Sequence, residues 1–218
     1  MTDRLSPLDV SFLYMETPTT AMHVGGVATF EPPPGEALDY DHLVDLISRR
    51  ISLVPRYRQK VRFIPGRLAN PVWVDDEDFD VTYHVRRSAL PKPGSDAQLR
   101  ELVGRLQSRQ LDRNRPLWEI YLVEGLEEGR VAIITKTHHA MVDGVSAVDI
   151  GTVILDLTPT PREVPDDDWT PKKEPGAASL MVGAVTDYVK RPAQALDTAR
   201  GETLARELAE LLNGDNVG

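Results

Sequence analysis

Apolar residues recur at helical spacing in two places along the first half of the chain. Leu43, Leu46, Ile47, Ile51 and Val54 share one face of a helix predicted over residues 40–54, which Pro55 stops. Leu99, Leu102, Val103 and Leu106 form the buried face of a second amphipathic helix predicted over residues 96–111. A shorter apolar helix is predicted over residues 5–15, capped by Ser6 with Pro7 at its first position. Strands are predicted where branched and aromatic residues lie between turn signals. "HVGGVATFE", residues 23–31, reads as one, with Gly25–Gly26 suggesting a bulge or a close backbone approach. "YRQKVRFI" and "PVWVDD" flank the turn "PGRLANP", and "FDVTYHVRRSAL" is a third strand or extended stretch. "WEIYLVEGL" and "RVAIITKTHH" are two more strands, joined hairpin-fashion by "EEG". A helix over residues 145–155 follows.

The pattern changes at residue 158. "TPTPREVPDDDWTPKKEPG", within residues 158–176, is rich in proline and holds three consecutive aspartates, which predicts a semi-extended linker with a solvated charge run. Beyond it the chain is helical again. Leu180, Met181, Ala184, Val185, Tyr188 and Val189 make an apolar stripe, Pro192 breaks it, and Leu204, Leu208 and Leu211 continue it. Its polar face is mixed in charge, which favours packing on another domain over lying on a membrane. The organisation expected is therefore a domain over residues 1–157, a linker over 158–176 and a helical connecting segment over 177–218.

Composition narrows the chemistry. With 218 residues, 41% of them hydrophobic, the chain can bury a real core. It has no cysteine, so disulfides, thiolate metal ligands and a cysteine nucleophile are excluded. A formal net charge of −9 opposes nucleic-acid binding and electrostatic docking to anionic lipid, but not contact with neutral lipid. The N-terminal stretch carries Asp3, Asp9 and Glu16 and no continuous apolar region, so it does not read as a secretory signal. No window is long and apolar enough to span a bilayer, and a cytoplasmic setting fits.

The chemistry concentrates in "KTHHAMVDG", residues 136–144. If the preceding segment is extended, Val131, Ile133, Thr135, Thr137 and His139 share one face, and Ala132, Ile134, Lys136 and His138 the other. Adjacent histidines offer neither of the spacings that put two imidazoles on one ion, so a metal site is not predicted. Asp143–Gly144 is a strong turn signal. The segment thus reads as strand, tight turn and helix, with a histidine held at the strand end, where a neutral imidazole is a competent general base. The plain alternative is that both histidines are merely hydrogen-bonded at a strand terminus. Ser146 lacks the flanking glycines of a nucleophile elbow.

HHAMVDG fits the pattern HHxxxDG and resembles the motif of the CoA-dependent acyltransferase superfamily, which includes chloramphenicol acetyltransferase and the condensation domains of peptide synthetases. "LSPLDVSFLYMETPTTAMHVGG", "WVDDEDFDVTYHVRRSALPKPG" and "LDRNRPLWEIYLVEGL" are similar, more narrowly, to the bacterial wax ester synthase/diacylglycerol acyltransferase family. The resemblance implies an α/β fold with a mixed, largely antiparallel sheet flanked by helices, a chloramphenicol acetyltransferase-like half-domain. It implies acyl transfer from acyl-CoA, as substrate with no cofactor, to a diacylglycerol or a long-chain alcohol. On this chain His139 is then the general base, His138 a supporting residue, Asp143 a structural carboxylate that braces the turn, and Gly144 the residue that keeps space open beside the ring. Pro116, Leu117 and Trp118 match the family's PLW motif, either as a proline-started strand with a buried tryptophan or as a substrate contact. Arg105, Arg109 and Arg113 are candidates for CoA phosphates, against a solvated helix face.

Members of the family are about twice this long, so the resemblance covers an N-terminal half and its connecting region. A C-terminal half, in the same enzyme or as a separate chain, is then expected to complete the site, and this chain alone is expected not to turn over. Peripheral association with the inner membrane face or with lipid droplets is compatible with such substrates. The competing readings are an acyltransferase for another alcohol and a non-catalytic lipid-binding or droplet-coating protein.

Overall fold

The computed structural model describes residues 3–33, 35, 38–142, 150–151, 155–156, 158 and 160–190, with side chains within the last helix described to residue 186. Helix α1 spans Pro7–Met15 and starts as its sequence dictates: the Ser6 hydroxyl accepts from the Asp9 amide, while the Asp9 carboxylate accepts from the Ser6 amide and hydroxyl. Helix α2 spans Tyr40–Arg50, capped by Asp39, and continues into a 3-10 turn at Ile51–Leu53. That tightening carries the apolar stripe from Leu43 and Ile47 on to Ile51 and Val54, all buried. Each such side chain is worth roughly 1.5–3 kcal/mol of burial.

Among the described residues, seven strands form two sheets. Strands β2 (His23–Phe30), β7 (Val131–His138), β6 (Trp118–Glu124) and β5 (Val85–Ala89) lie in that order. β2 and β6 run antiparallel to β7, and β5 runs parallel to β6. A smaller antiparallel sheet holds β1 (Asp3–Arg4), β4 (Val72–Asp75) and β3 (Gln59–Arg62). The fold is thus α/β with a mixed, largely antiparallel main sheet.

Three local expectations are refined. Residues 81–84 are not extended: Val81–His84 forms a short helix, α3, because the Asp80 carboxylate captures the amide and hydroxyl of Thr82. Helix α4 spans Asp96–Gln107 and stops short of residue 111. Gly25 makes a close approach rather than a bulge, since pairing of β2 with β7 is unbroken from His23–His138 to Phe30–Val131. A Cβ there would lie 2.0 Å from Gln107 Nε2 and 2.7 Å from the Thr135 carbonyl oxygen.

The main sheet separates two cores. Val131 and Ile133 of β7 join Trp118, Ile120 and Leu122 of β6 against Leu13 of α1 and Leu43 and Ile47 of α2. Ala132 and Ile134 join Val123 against Leu99, Leu102 and Leu106 of α4. The alternation read from the sequence therefore holds along β7, which is an inner strand covered on both faces.

Among the described residues of 158–176 there is no helix or strand, but the segment is not a free spacer. Asp167 pairs with the buried Arg58, whose guanidinium also lies 4.3 Å from the Trp169 ring centroid. Glu174 pairs with Lys60 at 3.3 Å and Arg62 at 2.7 Å. The aspartate run is thus partly engaged rather than wholly solvated. Helix α5, Ala177–Lys190, then buries Leu180 and Ala184 against Ile64, Val72 and Val74. Met181, Val182 and Val185 are exposed, so the buried line is narrower than the predicted stripe. Leu204, Leu208 and Leu211 lie outside the described residues.

Candidate active site

The histidine pair sits where β7 ends, and its backbone is held from both sides. The His138 amide donates to the Leu117 carbonyl at 3.0 Å, next to the start of β6. The His139 amide donates to the Met22 carbonyl at 2.9 Å, next to the start of β2. After His138 the chain leaves the extended conformation and His139–Met141 forms a 3-10 turn. Alternation ends there, and both imidazoles meet α1 or its cap: His139 at Phe12, His138 at Glu16, four residues on.

His138 is fully buried. Its Nδ1 accepts the Ala140 amide at 3.0 Å, which makes His138 the cap of the turn that carries His139. Nε2 has no hydrogen-bond partner among the described residues and lies 3.8 Å from Glu16 Oε2. Burial pushes the ring's pKa down from 6.5 to about 4; the Glu16 carboxylate opposes this, and Arg113, His23 and His139 reinforce it. The ring is therefore neutral near pH 7.

His139 is half-buried and stacks on Phe12, with ring centroids 4.9 Å apart and planes 22° from parallel. It is the more exposed member of the pair, in the turn that follows an inner strand. Asp143 and Gly144 lie outside the described residues, as does most of the helix predicted over 145–155; Ile150 and Gly151 are helical. Among the described residues no group of three or more His, Asp or Glu is arranged to hold a metal ion.

Pro116, Leu117 and Trp118 are all buried. The Trp118 indole donates to the Tyr57 carbonyl at 2.8 Å and its ring stacks on His84 at 4.5 Å, which is the placement of a core anchor. Of the three arginines, only Arg105 lies on α4. Arg113 is committed to Glu16 Oε2, at 3.0 Å from Nε and 2.7 Å from Nη2, and to the Leu13 carbonyl.

Two contributors escape a reading of the sequence. Glu16, with a buried carboxylate, joins the end of α1 to Arg113, to the Met22 amide and to His138. Its only local signal is an acidic residue closing an apolar helix. Lys136 is buried, and its ammonium donates to the carbonyls of Leu106, at 2.9 Å, and Arg109. It thereby fastens the end of α4 to β7, two residues before His138.

This geometry can be set beside known proteins. A family model for the wax ester synthase/diacylglycerol acyltransferase catalytic domain matches residues 5–214. The chain belongs to that family. It is 50% identical over 192 residues to the probable diacylglycerol O-acyltransferase tgs3 of Mycobacterium tuberculosis, which is 88% of this chain and 70% of that one. It is similar to the solved wax ester synthase/diacylglycerol acyltransferase from Marinobacter aquaeolei VT8, with a TM-score of 0.61 and 39% identity over 75% of this chain. The match takes in only 41% of the Marinobacter chain. A starter condensation domain of rhizomide synthetase, 12% identical with a TM-score of 0.54 over 71% of this chain and 36% of its own, shares the fold. This chain thus matches less than half of the Marinobacter chain but more than two thirds of the tgs3 chain.

Proposed function

We propose that this chain supplies the histidine-bearing layer of an O-acyltransferase that moves an acyl group from acyl-CoA to the hydroxyl of a diacylglycerol or a long-chain alcohol. The observation that carries the reading is the contrast within the pair: His138 is sealed in the core, while His139 is half-exposed at the tip of an inner strand. His139 removes the proton from the acceptor hydroxyl. The oxygen attacks the thioester carbonyl, and the tetrahedral intermediate collapses with loss of the CoA thiolate, which takes the proton back from the imidazolium. The acyl group passes directly to the alcohol, with no acyl-enzyme, and acyl-CoA is a substrate rather than a resident cofactor. A chain without cysteine suits that route.

The site is completed by a second layer, in the same enzyme or as a separate chain, that closes over His139. The 41% coverage of the Marinobacter enzyme supports this. No described helix is long and apolar enough to cross a membrane, and neutral-lipid substrates are then met from a membrane face or droplet surface. The test is product analysis with labelled palmitoyl-CoA and a panel of acceptors, diolein and hexadecanol among them, with and without the second layer. Ester formation that requires both layers and disappears in His139→Ala is expected. Full turnover by His139→Ala in the completed enzyme overturns the reading.

A further inference from the structure

Glu16 and Arg113 have no part in the acyl transfer just described, yet they lie beside the histidine pair. The Glu16 carboxylate is buried and Arg113 donates to it twice, and it is also the carboxylate facing His138 Nε2. The Ala140 amide points at His138 Nδ1 from 3.0 Å. A donor there demands a lone pair on Nδ1. A proton on Nδ1 would set two donors against each other and leave the Ala140 amide unsatisfied in the core. A neutral ring carries one proton, which must then sit on Nε2. Nε2–H has no hydrogen-bond acceptor among the described residues, but it faces the Glu16 carboxylate 3.8 Å away.

We propose that Glu16, braced by Arg113, is a positioning residue that holds His138 as its Nε2–H tautomer, so that Nδ1 stays free to receive the Ala140 amide and fix the turn that carries His139. The proposal rests on the acyltransfer reading only for its consequence in turnover; the tautomer itself is a property of the folded chain. Among the described residues, the titratable groups that act on the ring are Glu16, Arg113, His23 and His139. Glu16 is the carboxylate among them, so the polarity of the described surroundings favours an N–H on the side of Glu16. His138 thus acts on His139 through one amide and not by touching substrate.

Two substitutions separate this role from others. Asparagine at 138 places an amide oxygen where Nδ1 stands, whereas glutamine reaches towards Nε2 and offers nothing to the Ala140 amide. In the 218-residue chain, nitrogen NMR of the histidine rings is expected to show His138 with a bare Nδ1 and a protonated Nε2. Ala140 amide exchange should stay protected in His138→Asn and accelerate about tenfold or more in His138→Gln, with both proteins folded. Glu16→Gln keeps an acceptor for Arg113 but removes the charge. It should raise the Nδ1–H population of His138 and quicken Ala140 exchange severalfold. In the completed enzyme, His138→Gln should lose kcat with KM for acyl-CoA unchanged, and His138→Asn should recover most of it. A proton found on Nδ1 in the unmodified chain overturns the proposal. So does equal Ala140 exchange in the two His138 variants, or a Glu16→Gln protein with an unaltered tautomer. The NMR readings stand whether or not the chain makes esters, so failure of the acyltransfer reading would be seen separately.

Discussion

The His139 imidazole lies against the Phe12 ring, centroids 4.9 Å apart and nearly parallel. The ring that would take the acceptor's proton is therefore oriented by α1 as well as by the turn that carries it. Phe12→Ala should remove a contact worth about 0.5–1.5 kcal/mol and lower kcat by up to about tenfold, with little change in KM for acyl-CoA. Phe12→Leu, which keeps bulk but not the stack, should fall between. Steady-state ester formation in the completed enzyme checks the order; equal rates in all three proteins would show that the stack does not orient the ring.

Lys136 invites a test of stability. Burial lowers its pKa, with Glu119 and Glu16 pulling the other way, and its ammonium is the partner of two carbonyls at the end of α4. Lys136→Met fills similar space but strands those carbonyls. A loss of roughly 1–3 kcal/mol is expected in urea denaturation, with faster amide exchange at the end of α4.

Acid should weaken this fold before its carboxylates titrate. His138, His84 and His23 all have pKa values pushed below 6.5, each by burial first. Between those values and 6.5 the unfolded chain binds more protons than the folded one, so stability is full above pH 6.5 and falls as pH drops towards 4. For His138, with its pKa at about 4, the loss is on the order of 3 kcal/mol. Urea midpoints between pH 7 and pH 4.5 should decline, and His138→Asn should make that decline shallower.

Gly25 has no room for a side chain. Gly25→Ala would drive a methyl into the Gln107 side chain and the Thr135 carbonyl. A loss of roughly 1–3 kcal/mol is expected. Adding Gln107→Ala should restore only part of it, because the Thr135 contact is with backbone; thermal melts of the single and double variants give the comparison.

Legibility followed the range of the interactions involved. The start of α1 was readable because Ser6, Pro7 and Asp9 are neighbours, and the faces of β7 because alternation is a property of the strand itself. The short helix α3 was hidden in a stretch of strand-forming residues, where one capping aspartate outweighed their propensity. Asp167 looked like part of a solvated run, since nothing near it announces that the chain returns to Arg58. Of the site, the histidine pair was visible as a motif. Glu16 and Phe12 were not, because they reach His138 and His139 across 122 and 127 positions of chain, and Arg113 enters only through Glu16, 97 positions away from it, gaps that local pattern does not encode.

Consecutive amides at His138 and His139 are tied to different neighbours, one to Leu117 and the other to Met22. A strand end normally frays, because its last rung is held on one side at most. Here the final two rungs clamp in opposite directions, so neither flanking strand can slip by a residue without tearing its own tie at the histidines. The sheet's least expected point of rigidity is thus its tip, where a chemical group that must meet two greasy substrates gains most from not wandering.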